Sequence, residues 1–248
     1  MTTPHQAKPG MKTRLIIPTV SGLAEVQSLQ RTGPDEPNTI SLQDFTRLAV
    51  SQEYDTFVRR PSGAIEQDFG HANWFMLISS RIESGKSWQL GTYLAHAYEA
   101  RGALWMGAPQ VGALEQQEQI VVATGAIQKT GMVVQKVGQV PEKLALAQAR
   151  LLGARSAGLR AVFLLPEANL ADIPPEMNQS CRQSGIEIHG VSTVVQALEF
   201  LGLEAAAAAA TAWQGSPWPG LASYTNGQRT VFFGRDRERQ AALERMLE

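Results

Sequence analysis

ATGAIQKTGMVVQKVGQVPEK, residues 123–143, carries the strongest local signals in this 248-residue chain. It begins on the last residue of Gln119–Ala123, a strand-like apolar run. A turn at Lys129–Gly131 leads to a second strand-like run, Met132–Val137. Pro141 then stands where a helix accepts proline, in its first turn, and opens a helix over Pro141–Leu152. Gly153 and Gly158 punctuate its end.

Moving outward, the C-terminal side repeats the alternation. Ala161–Leu165 (AVFLL) reads as a buried strand closed by Pro166, Ile186–Val191 as another strand, and Val194–Leu201 as the start of a last helix that can continue through the alanine run. On the N-terminal side, Arg14–Val20 reads as a first strand broken by Pro18, followed by a short helical segment and then the polar loop QRTGPDEPNTIS. Gln43–Val50 has helical spacing and Trp74–Ser79 (WFMLIS) reads as a short strand. From Ser87 to Arg101, Trp88, Leu90, Tyr93, Leu94, Ala97 and Tyr98 recur at three- and four-residue intervals, which predicts an amphipathic helix. Alternating strands and helices in the C-terminal half favour an α/β sandwich of two layers.

The composition is that of an ordinary globular chain: 44% hydrophobic, 18% charged, net charge -1. That charge argues against nucleic acid as a partner. Cys181 is the only cysteine, so neither an intramolecular disulfide nor a cysteine metal cluster can form, in keeping with a reducing cytoplasm. His5, His71, His96 and His189 have no metal-ligand spacing. No apolar run reaches the roughly 20 residues of a membrane span, and residues 1–11, read as a loose tail, lack the apolar core of a secretory signal. A cytoplasmic protein with no membrane partner is expected.

The chemistry gathers in three blocks. The first, IESGKSWQLG over 82–91, follows a strand and opens a helix. Three readings fit it. Ser87 could cap the helix. It could be a nucleophile, with amides near Lys86–Trp88 stabilising an oxyanion at the helix start. Gly85-Lys86-Ser87 also fits the end of a phosphate-binding P-loop, although such a loop needs glycine where this chain has Ser80.

The second block, residues 123–143, resembles the signature of Lon-like serine proteases, in which a "TGE-I" segment leads through a hairpin to "P-I-G-G-[LV]-x-x-K" at a helix start. Thr124-Gly125-Ala126-Ile127 matches the first part and Val137-Gly138-Gln139-Val140-Pro141-Glu142-Lys143 the second. The third block, Arg160–Leu198, resembles the family's C-terminal end: RAVFLLPEANLADIPPEM, with its "N-x-x-D" stretch and "IP-E", precedes IEIHGVSTVVQALEFL. With these anchors fixed, Gly85-Lys86-Ser87 falls on the family's "G-P-S-A-G" serine motif. The resemblance covers residues 70–204 well and 12–69 by position.

The resemblance implies an α/β (α+β) protein with the two-layer Lon proteolytic-domain fold, of the ribosomal protein S5 domain 2-like type. It implies a serine peptidase acting on a protein or peptide, with Ser87 as nucleophile, Lys143 as general base, Thr124 in support, and no metal or cofactor. A serine hydroxyl needs an adjacent base. A lysine can be that base only when neutral, a state favoured by burial and by the positive end of a helix. Three positions depart from the family's pattern at two places: Ala126 stands where it has an acidic residue, and Trp88-Gln89 where it has "A-G". The first removes a carboxylate, and the second puts an indole where small residues allow close substrate approach.

Residues 205–219, an alanine run followed by WQGSPWPG, read as a linker. Pro217–Leu247 resembles the entry segment of STAND-class signalling NTPases, "PYPGLRPF…FFGR-x-x-E". That implies a domain over 12–204, the start of an NTPase module over 220–248, ATP as cofactor of the part beyond Glu248, and a role in bacterial signalling or defence. The family resemblance also allows a homo-oligomer formed through the full-length protein. Two other readings stay open: a nucleotide-binding module using residues 80–87, and a catalytically inactive regulatory domain of protease fold.

Overall fold

The computed structural model describes residues 12–33, 35–59, 63–82, 85–105 and 118–203. The expected tail over 1–11, the linker and the NTPase-like segment lie outside these residues. Its strands are β1 (Lys12–Pro18), β2 (Leu23–Arg31), β3 (Thr39–Leu42), β4 (Arg47–Leu48), β5 (Trp74–Ile78), β6 (Glu118–Ala123), β7 (Ala126–Gln128), β8 (Val133–Gln135), β9 (Arg160–Pro166) and β10 (Glu187–Val191). Its helices are α1 (Gln52–Val58), α2 (Ala64–Phe69), α3 (Gln89–Ala100), α4 (Val140–Ser156), α5 (Pro175–Gln183) and α6 (Val194–Leu201).

Eight strands form one mixed sheet in the order β10-β9-β6-β1-β2-β5-β3-β4, while β7 and β8 form a separate hairpin. The half from β1 to β10 is parallel: Leu15 pairs with Val121, Val121 with Val162, and Ile188 with Phe163. The other half contains the antiparallel pairs β1–β2, β2–β5 and β3–β4, together with the parallel pair β3–β5.

Side chains along a strand alternate between faces, and here both faces are apolar. Leu15, Ile17, Val121 and Leu164 pack with α1, α2, α3 and α6. Ile16, Val122 and Phe163 pack on the opposite side with α4 and α5. The two-layer arrangement expected from the sequence is therefore corrected to helices on both faces of the parallel half. The cause is visible in IIP, IVVA and AVFLL: consecutive apolar residues leave neither face suited to water.

Three local expectations also change. The short helical segment before the polar loop is β2. Residues 43–50 form a hairpin tip and β4, with Phe45 at φ 62° and Ile40 paired with Leu48. Gly153 does not end α4, which runs on to Ser156 because Ala154 is buried on the sheet; Gly158, at φ 78°, follows its end. No helix among the described residues is long and apolar enough to cross a membrane.

Candidate active site

Ser87 lies between β5 and α3. Its neighbour Trp88 occupies the N-cap position of α3, and the helix has no side-chain cap, so the capping reading of Ser87 finds no hydrogen bond. Trp88 is 6% exposed. Its ring packs on Tyr54 and edge-on to Phe57, with centroids at 5.6 and 5.4 Å, and its indole N–H donates to the Gly85 carbonyl. The Trp88 indole is thus folded largely into the core. The amides of Lys86, Ser87 and Trp88 donate to no other described residue, leaving a row of N–H groups at the head of a twelve-residue helix.

The segment after β6 is stitched to this loop. The Gly125 amide donates to the Ser87 carbonyl at 2.8 Å, and the Thr124 hydroxyl donates to the same oxygen at 3.3 Å. In return, Leu90 N–H donates to Gly125 O at 3.0 Å, and Ile127 N–H donates to the Gln89 side chain at 2.8 Å. Gln89 therefore anchors the β7 strand to the helix start. Thr124 is fully buried, with its own amide bonded to Leu164 O at 3.0 Å.

Lys143 arrives from the opposite face of the sheet. It closes the first turn of α4, its amide donating to Gln139 O at 3.1 Å, and it is 4% exposed. Gln139 enters the helix at φ 58°, a left-handed conformation unusual for a side-chain-bearing residue, so this entry must be held from outside. Asn169 does that. Its carboxamide accepts from Val137 N–H at 3.0 Å, donates to Val137 O at 2.8 Å, and donates to Asp172 at 2.7 Å. Asp172 in turn pairs with Lys136 at 2.9 Å, which holds its carboxyl below the usual range. The "N-x-x-D" stretch was read in the sequence as a family marker only; its work as a clamp on the α4 entry was missed, since nothing local links residues 136–137 to 169–172.

Ser87 and Lys143 line one cleft of about 320 Å³, together with Thr19, Lys86, Trp88 and Lys136. Ala126 also lines it, and no carboxylate does so among the described residues. A second, mainly apolar pocket of about 260 Å³ shares Ile82, Gly85 and Trp88 with the cleft and reaches Tyr54 and Leu48. Among the described residues no group of three His, Cys, Asp or Glu could hold a metal ion. The arrangement offers a hydroxyl, a buried amine and helix-start amides around one opening. The sequence matches no protein-family model and no curated protein at a significant level.

Proposed function

We propose that residues 12–204 are a Lon-like serine peptidase, with Ser87 as nucleophile and Lys143 as general base. One observation carries this reading. The two residues sit on different elements far apart in the chain, yet they line one cleft, with the lysine almost completely buried. A surface lysine would be solvated, whereas burial disfavours an ammonium and so favours the neutral amine that a base requires.

In this mechanism the Ser87 Oγ attacks the scissile carbonyl as its proton passes to the Lys143 Nζ. The amides of Lys86–Trp88 receive the developing oxyanion. The lysine then returns the proton to the leaving amine, and a water activated by the same lysine releases the acyl group. Thr124 and Gly125 hold the serine through its carbonyl. The segment beyond residue 204 would couple this activity to an ATP-dependent STAND module in bacterial signalling or defence.

The test is digestion of an unfolded protein by the 248-residue chain. Ser87→Ala and Lys143→Met should each remove nearly all cleavage, because the pair acts as a unit. Lys143→Arg should fail as well, since arginine stays protonated. Cleavage that survives Ser87→Ala ends the assignment. Thermal stabilisation by a nucleotide would instead favour the phosphate-binding reading of residues 80–87.

A further inference from the structure

We infer that the cleft selects peptides carrying an acidic side chain beside the scissile bond. The inference rests on the peptidase reading above and names its substrate class. Among the described residues, every charged group lining the cleft is a lysine: Lys86, Lys136 and Lys143. The position where the resembling family has an acid is Ala126, which also lines the opening. The chain as a whole carries a net charge of -1, so this concentration of one sign is local.

The three lysines are not equivalent. Lys136 is paired with Asp172 at 2.9 Å, so its charge is largely answered. Lys143 is buried and serves as the base. Lys86 is exposed and adjoins the nucleophile; its carbonyl accepts from Gln89 N–H at 3.1 Å, while its ammonium has no hydrogen bond or ion pair with another described residue. Lys129 stands close enough to Lys86 for the two charges to be felt, and its ammonium donates to Thr56 O at 2.9 Å. The pocket that adjoins the cleft has Glu53 in its lining, so the cationic character belongs to the cleft and not to its neighbour. A substrate carboxylate at the mouth would find an unanswered ammonium beside Ser87, whereas a basic residue there would meet like charge.

Binding to the Ser87→Ala chain tests this without requiring turnover. Three fluorescent peptides of one length are compared: an end-capped peptide with Glu flanking its central bond, the same capped peptide with Gln, and the Gln peptide with a free C-terminal carboxylate. The Glu peptide should bind at least about tenfold more tightly than the capped Gln peptide at low salt, with the gap closing as salt screens the charges. Lys86→Glu should abolish or reverse the preference. Equal affinities, or a preference that Lys86→Glu leaves intact, would overturn the inference; tightest binding of the free-ended Gln peptide would overturn it in favour of a terminal carboxylate. Failure here counts against the substrate class, whereas failure of a serine probe to label the wild-type chain counts against the peptidase reading itself.

Discussion

The amide of Gly125 donates to the carbonyl of Ser87 at 2.8 Å, joining the end of the central parallel strand to the loop before α3. The contact is close enough to exclude a side chain. A Cβ on Gly125 would lie 2.9 Å from Val134 Cγ1 and 3.2 Å from Leu90 Cδ2.

Gly125→Ala is therefore expected to destabilise the chain by about 1–3 kcal/mol through overpacking. Gly153→Ala should do the opposite. It lies inside α4 with no atom within 4 Å of a new Cβ, so the substitution should gain about 0.4–1 kcal/mol. Urea denaturation of both variants reads the two signs, and a stabilised Gly125→Ala would contradict the packing described around Ser87.

His96 predicts an acid-sensitive window. It is fully buried between Phe69 and Trp74, and its Nδ1–H donates to Thr92 O at 2.8 Å. Its Nε2 has no hydrogen-bond partner among the described residues. Burial pushes its pKa from 6.5 down to about 4, with the Arg31 charge adding to that and the Thr92 bond opposing it. The unfolded chain takes up a proton below pH 6.5 that the folded chain refuses until about pH 4. Stability should fall as pH drops through this window, by about 3 kcal/mol in all. His96→Leu should flatten that part of the profile, and an unchanged slope in the variant would refute the assignment to His96.

Asn169 should tie stability to the placement of Lys143. Asn169→Asp keeps the side chain's shape but replaces its donor with an acceptor facing Val137 O and Asp172. A loss of about 1–3 kcal/mol is expected from the unmatched groups. The fraction still folded should also label more slowly with a serine-reactive probe, because the entry to α4 is no longer held. Normal labelling per folded molecule would make Asn169 a purely structural residue.

Much of this arrangement was legible in the sequence, for identifiable reasons. The parallel strands β6 and β9 announce themselves as continuous apolar runs, α3 as a periodic helix, and α4 by its proline start. The same apolar runs carried the signal for cover on both faces, but alternation of elements alone does not distinguish two layers from three. β2 was misread because LAEVQSLQ mixes apolar and polar residues at both periods, and its pairing with β1 and β5 decides the outcome. Ser87, Thr124 and Lys143 stood out by motif. The Asn169 clamp and the inward turn of Trp88 did not, since both depend on contacts with distant segments.

The most direct test of the central claim is labelling of the intact 248-residue chain with a serine-reactive phosphonate, read by mass and peptide mapping. The account predicts one adduct per chain, located on Ser87, lost in Ser87→Ala, and slowed at least about a hundredfold in Lys143→Met, as expected for a nucleophile deprived of its base. An adduct on another residue, or Lys143→Met labelling at the wild-type rate, would contradict it.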